Sequence, residues 1–200
     1  SSRFGKWISL RFQNLCLTSA EVRTTLLEKV RCVHRARGER GFHIFYELLS
    51  SVNTQKMNKN LLQASATTRG AYSLPSITDE RNLELRRKAL SLVLKTKSER
   101  FFMALTGLMH LAAIEFEMND GEDTADFCVS SKEHVESALC LAWESPNDER
   151  ALAFMQQHDA LTKALLQRTV GSVIVPNSVA AAYRARDACV KLAYAQLFDG

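Results

Sequence analysis

Hydrophobic spacing changes period several times along this chain, and each change marks a predicted element. Ile8, Leu10 and Phe12 alternate with Ser9 and Arg11, the period of two expected of a half-buried strand. Gln13-Asn14 predicts a turn, and Leu15, Leu17 and the run over residues 22–27 predict a second strand, giving a hairpin or paired strands. From Phe42 the spacing lengthens. Phe42, Phe45, Tyr46 and Leu49 share one helical face, and His43 lies off it. Residues 50–75 are polar and patternless, with Pro75 as punctuation. Ser76 or Thr78 then caps a helix whose stripe is Leu83, Leu90, Val93 and Leu94. Ser98 opens another, and its Phe101, Phe102, Leu105, Leu108, Met109 and Ala112 make the clearest helical face in the sequence, a predicted core.

Alternation returns at Ile114, Phe116 and Met118 and runs into an acidic turn over residues 119–126. Ser130 with Glu133 has capping-box spacing ahead of Val135, Ala138, Leu139 and Ala142. Pro146-Asn147 interrupts. Residues 148–157 predict a short helix, and a separate segment starts at Asp159, carries Leu161, Leu165 and Leu166, and ends at Arg168. Val170, Val173, Ile174 and Val175 favour extended backbone. Ser178 caps a last helix through Phe198, with Val179, Tyr183, Val190, Ala193 and Leu197 facing inward. Trp7 and Trp143 read as packing residues, and no internal repeat is present. The predicted class is α+β and mainly α: N-terminal antiparallel strands, then a helical lobe with a short hairpin-like loop near the C-terminus.

Composition narrows the classes. With 200 residues, 46% apolar and 24% charged, the chain suits one globular body of one or two lobes. No apolar run approaches the roughly 20 residues of a membrane span. The start at Ser1-Ser2-Arg3, without an initiator Met or an apolar signal core, reads as an internal cut. Five scattered cysteines without a C-x-x-C pair fit reduced thiols better than a disulfide framework. Charge is divided: residues 1–100 hold 19 Lys and Arg against 8 Asp and Glu, and residues 101–200 hold 7 against 14. Such an asymmetry fits a polyanionic partner, two mutually attracting lobes, or solvated helix faces. His34, His43, His110, His134 and His158 lack ligand spacing, which argues against a metal centre. Glu28 and Glu39 with Arg31 and Arg40 read either as paired catalytic charges or as supporting ion pairs.

The sequence Ser1-Ser2-Arg3-Phe4-Gly5-Lys6 sets two hydroxyls, a fixed positive charge and a flexible glycine directly before the first strand. That composition suits a phosphate-facing loop, and equally an ordinary polar chain end. Leu26-Leu27-Glu28-Lys29-Val30-Arg31 and the Gly38-Glu39-Arg40-Gly41-Phe42-His43-Ile44-Phe45-Tyr46-Glu47-Leu48-Leu49 block follow. In this order and spacing the three blocks resemble the switch I segment and following core of a myosin motor head. Leu108-Met109-His110-Leu111 with Ile114-Glu115-Phe116-Glu117 is similar to the family's G-I-L-H-L-G-x-I-x-F-E segment. Ala181-Ala182-Tyr183-Arg184-Ala185-Arg186-Asp187-Ala188, with Lys191, Tyr194, Leu197 and Phe198, is similar to its A-A-Y-x-x-R-D-A helix. The resemblance covers essentially the whole chain, although a motor head is several times longer.

This resemblance implies a fragment of a P-loop NTPase motor domain. Residues 1–37 become the switch I loop and adjoining strands of a larger sheet, and residues 38–200 the helical upper lobe. ATP and Mg²⁺ are the implied cofactors of the complete head and the actin filament is the implied partner, in a cytoplasmic, cytoskeleton-associated setting without nucleic acid. Ser2 matches the serine that reaches Mg²⁺, Ser1 the one beside the lytic water, and Arg3 the arginine that meets a switch II glutamate on closure. With Gly5 as the point about which the loop moves, these form the expected nucleotide-facing set.

Residues 168–178, with the apolar patch Val173-Ile174-Val175 between helical segments, suit a protein-binding projection, the alternative being a buried hairpin strand. By resemblance this is the actin-contacting loop, formed by Arg168, Ser172, Val173, Ile174 and Val175. Counting back from Asp187 puts the family's acidic or phosphorylatable position at Gly171, or at Ser172 with one deletion. Ser172 keeps Ser-Val-Ile-Val in step with the usual Glu-Val-Ile-Val, and a phosphate there would turn negative charge toward actin.

Neither G-x-x-x-x-G-K-[ST] nor D-x-x-G-F-E occurs among the 200 residues, so the chain by itself is not expected to hydrolyse ATP. Gly41, Ser19-Ala20 and the short 50–75 insert depart from the family pattern. They keep a motor-like pseudoenzyme without turnover as a second reading. A helical nucleic-acid module using the basic half is the third, and it requires a clustered basic face.

Overall fold

The computed structural model describes residues 4–26, 28–36, 38–51, 67, 68, 78–119, 121–142 and 149–199. Strands β1 (Phe4–Gln13) and β2 (Cys16–Leu26) form an antiparallel ribbon closed by Asn14-Leu15. Both turn residues have positive φ, 50° and 65°, the pairing that matches the twist of a two-residue hairpin. The predicted strands and turn are present, with Leu15 in the turn and not the strand. Half-burial is not: Ile8, Leu10, Phe12, Leu17 and Val22 are all exposed, and Trp7, expected to pack, is 70% exposed. Apart from a contact of β2 with the last helix, no described segment covers either face. Gly5, expected in a mobile loop, lies within β1 opposite Thr25. Trp143 falls outside the described residues.

After a 3-10 turn at Lys29–Cys32 the chain enters α1 (His43–Ser51), then α2 (Asp79–Leu94) and α3 (Ser98–Ala113). Thr78 caps α2, its hydroxyl accepting from the Arg81 N–H at 3.3 Å. Leu83 on α2 is buried, while Val93 is exposed. The buried line of α2 runs through Leu83, Leu90 and Leu94, and at about 100° per residue Val93 sits well off it. Lys95 then reverses the chain at φ 49°, ψ −120°, a region that L-residues enter only at a cost. Strands β3 (Phe116–Met118) and β4 (Ala125–Phe127) make a small hairpin. Ser130 stands inside a 3-10 turn, Val129–Ser131, that precedes α4 (Lys132–Ala142), and not ahead of the helix as a cap. The two segments expected around residues 148–168 are one continuous helix, α5 (Glu149–Leu166). A third hairpin, β5 (Gln167–Val170) and β6 (Val173–Pro176), leads into α6 (Val179–Asp199).

Two adjoining cores hold the helices. Phe45, Leu49, Leu83, Phe102, Leu105, Met109 and Val190 bury one, between α1, α2, α3 and α6. Ile114, Phe116, Val135, Leu165 and Ala182 bury the other, under β3, α4, α5 and α6. Leu111 packs against both. The fold is therefore α+β and mainly helical, with three two-stranded antiparallel sheets among the described residues. Its outermost parts are the ribbon and the β5–β6 hairpin.

Candidate functional site

Phe4 pairs with Leu26 at the root of the ribbon, so the tripeptide Ser1–Arg3 joins the chain there. Ser1, Ser2 and Arg3 themselves fall outside the described residues. Just beyond the root, Arg31 is buried and fully engaged. Its Nε donates to Glu28 Oε2 at 3.0 Å, one terminal nitrogen to Glu39 Oε2 at 2.6 Å, and the other to the Arg40 carbonyl at 2.8 Å. Hydrogen bonding to Glu28 first, and then to Glu39, raises its pKa against the opposing pull of burial. Arg31 and the two glutamates thus act as a clamp, the structural alternative of the two expected for these charges.

Arg40 takes a different partner from any the sequence suggested. Its guanidinium reaches the Asp79 carboxylate in the first turn of α2 and stacks 4.1 Å over the Tyr46 ring. The Tyr46 hydroxyl in turn accepts the Gly41 N–H at 2.9 Å. A Cβ on Gly41 would stand 3.0 Å from the Thr67 carbonyl oxygen, so a side chain here would push that backbone outward and the close approach favours glycine. A second long-range pair joins α1 and α2: Arg86 on α2 donates from Nε and a terminal nitrogen to the buried Glu47 carboxylate on α1, at 2.7 and 3.0 Å. The first contact ties the segment after the ribbon to α1 and α2, and the second ties α1 to α2.

The β5–β6 hairpin stands at the other end. Val170 pairs with Val173 across the Gly171-Ser172 turn, and Gly171 has φ 64°, suiting the first central position of a primed turn. Val170, Val173 and Ile174 are all more than half exposed, Ile174 at 68%, and Ser172 is exposed at the tip. Val175 is half-buried. The alternative of a buried strand does not describe this segment. At its base Arg168 donates to Asn177 Oδ1 at 3.1 Å and to the Pro176 carbonyl at 3.3 Å. Buried Asn177 donates its side-chain amide to the carbonyls of Leu165 and Gln167 and its backbone N–H to that of Leu166. Its own carbonyl accepts the Ala125 N–H of β4 at 2.8 Å. The hairpin therefore rests on a rigid foot with an apolar tip. Arg168, Ser172, Val173, Ile174 and Val175 do share this one projection.

Beside it, β3–β4 is acidic: Glu117 pairs directly with Asp126, and Glu122 and Asp123 lie in its turn. Behind it, His110 on α3 and His134 on α4 meet Nδ1 to Nδ1 at 2.9 Å, both buried. One must donate and the other accept. Burial, and then the neighbouring His134, pushes His110 down to about 4. Burial lowers His134 too, against Glu133 and Glu115, which pull it upward. Sequence spacing hid this pair. Among the described residues no group of three or more His, Cys, Asp and Glu could hold a metal ion.

Comparison with known proteins bears on the whole chain. The family model described as Myosin head (motor domain) matches residues 1–200. Over 212 residues the chain is 32% identical to the Dictyostelium discoideum protein named myosin ID heavy chain, aligning across its own full length and 18% of the relative. Against unconventional myosin-Va of Homo sapiens the identity is 31%, again across the full chain and 11% of the relative. Myosin heavy chain IB of Acanthamoeba castellanii gives 32%, with 17% of the relative covered. The chain thus spans under a fifth of the length of these relatives.

Proposed function

Because this chain belongs to the myosin head (motor domain) family, we propose that it is the switch I and upper-lobe portion of an actin-based, ATP-driven motor. Residues 1–37 act as the nucleotide-responsive loop with the ribbon that transmits its movement, and residues 38–200 as the lobe that presents the filament-facing hairpin. The ribbon, apolar and exposed on both faces, is then two strands of a larger sheet. A lone two-stranded ribbon is marginal in water. The cell setting is the actin cytoskeleton.

One observation carries the reading: the β5–β6 tip, with three aliphatic side chains in solvent over a rigid foot. Exposed aliphatics clustered at a loop tip mark a protein contact. Arg168 supports the foot, Val173, Ile174 and Val175 form the apolar contact, and Ser172 is the accessible hydroxyl whose phosphorylation would add charge there.

ATP and Mg²⁺ enter through Ser1–Arg3 alone. Two described cavities are lined mostly by apolar side chains and do not fit a triphosphate. Magnesium, when bound, supplies charge neutralisation on the γ-phosphate. Ser2 is the residue proposed to ligate it, Ser1 to hold the attacking water, and Arg3 to close the site with Gly5 beside it.

Cosedimentation of the full-length protein with filamentous actin tests the proposal. Without ATP the wild type is expected to pellet, and ATP to release it. Ile174→Asp should weaken binding by about tenfold or more, the scale of removing a central contact residue. Wild-type affinity in that variant would overturn the assignment of the hairpin, and no pelleting by the wild type would overturn the motor reading.

A further inference from the structure

A small cavity of about 210 Å³ lies where α1, α2, α3 and α6 converge, lined by Ile44, Arg86, Leu90, Phe101, Leu105, Tyr194 and Leu197. Five of the seven are purely apolar, and the walls are firm. Tyr194 stacks on Phe42 with ring centroids 4.8 Å apart and tilts against Phe45 at 5.5 Å. Phe101 packs edge-on to Phe102 at 5.7 Å. An enclosed apolar cavity of roughly 150 Å³ takes up benzene; this pocket is half open to solvent and of a size for a single ring with a short substituent.

The two polar lining groups define what that substituent must be. Arg86 is held by its bidentate contact with Glu47, through Nε and one terminal nitrogen, and its other terminal nitrogen lies outside that contact. Tyr194 carries no hydrogen bond among the described contacts of its hydroxyl. Burial, ahead of the nearby Cys32, raises its pKa despite Arg86, so the hydroxyl keeps its proton at neutral pH. Each group is a hydrogen-bond donor. Glu47 already balances the Arg86 charge, so a second carboxylate would meet a neutral pair and gain little for its desolvation.

We propose that this cavity is a binding site for an uncharged aromatic small molecule bearing one hydrogen-bond acceptor, seated on Phe101, Leu90 and Leu105 with its acceptor toward Arg86 and Tyr194. The occupant touches four helices at once and raises the thermal midpoint of the lobe. The site is separate from both the ribbon root and the β5–β6 hairpin, and the inference stands whether or not the motor reading does.

Acetophenone is the probe, followed by saturation-transfer NMR with the full-length protein, beside ethylbenzene, which lacks the acceptor, and benzoate, which is charged. Acetophenone is expected to bind in the millimolar range or tighter, and each comparison compound about threefold to tenfold more weakly, the scale of one hydrogen bond. Leu90→Trp, which fills the cavity, should abolish the signal. Arg86→Lys keeps an ion pair with Glu47 but removes the planar donor edge, and should weaken acetophenone several-fold. Absence of acetophenone binding, equal binding of all three compounds, or wild-type binding by both variants would each overturn the proposal. Circular dichroism of each variant separates loss of the site from loss of the fold.

Discussion

Helix α3 and strand β1 carry equally clear apolar periods and meet opposite fates. In α3 the stripe of Phe102, Leu105, Leu108, Met109 and Ala112 disappears into the core, Leu105 to 1% exposure. In β1 the stripe of Ile8, Leu10 and Phe12 stays in solvent, and so does the opposite face with Trp7. Periodicity reports which side of an element is meant to be covered. It does not report whether the covering surface belongs to the same stretch of chain.

Stability measurements sharpen that contrast. Leu105→Ala should cost about 2–5 kcal/mol, the range for deleting a buried aliphatic chain, whereas Ile8→Ala in this chain should cost within about 0.5 kcal/mol, as for ordinary surface changes. Comparable losses in denaturant midpoints would mean that the ribbon is packed after all. Arg31→Met comes next, at about 2–3 kcal/mol, because it strips Glu28, Glu39 and the Arg40 carbonyl of their shared donor. The loss falls below that of a fully buried pair, since both glutamates are partly exposed and regain water.

Acid should loosen the α3–α4 joint before it touches the ribbon. An unfolded histidine titrates near about 6.5, and folded His110 near about 4. Between those values the unfolded chain binds more protons, so stability falls as pH drops from 6.5 toward 4. His110→Gln is expected to flatten that slope in urea midpoints taken across the window, and an unchanged slope would remove the pair as its cause. A smaller gain, about 1 kcal/mol, is expected from Lys95→Gly, which relieves a positive φ that glycine adopts freely. Smallest of all, Glu117→Lys should add about 0.2–1 kcal/mol by turning a like-charged pair with Asp126 into an opposite one.

Much of the architecture was legible in local pattern. The stripes of α1, α3 and α6, the Thr78 cap and the first and last hairpins follow from spacing of two, three and four residues, whereas β4 lies partly within the stretch read as an acidic turn. Other features were not. Gln156, Gln157, His158 and Asp159 look like a break because four polar residues interrupt the apolar pattern, yet such a run is only about one turn of an 18-residue helix, and Gln157 and His158 are half-buried within it. Val93 misled for the complementary reason, as an aliphatic beside the stripe and not on it. At the candidate sites, Arg31 with Glu28 and Glu39 was readable as a charge group. The partners Arg40–Asp79 and Arg86–Glu47, each 39 positions apart, and His110–His134, 24 apart, arise only from helix packing.

Asn177 has a mechanical consequence. One side chain and its two flanking peptide groups tie the last turn of α5, the base of one β-hairpin, the second strand of another and the entry to the 21-residue α6. A load on the Ile174 tip therefore meets the head of a long helix, at an anchor that the two hairpins share. Residue 172 is left free to vary in chemistry without altering that anchor, while Gly171 is held to its positive φ.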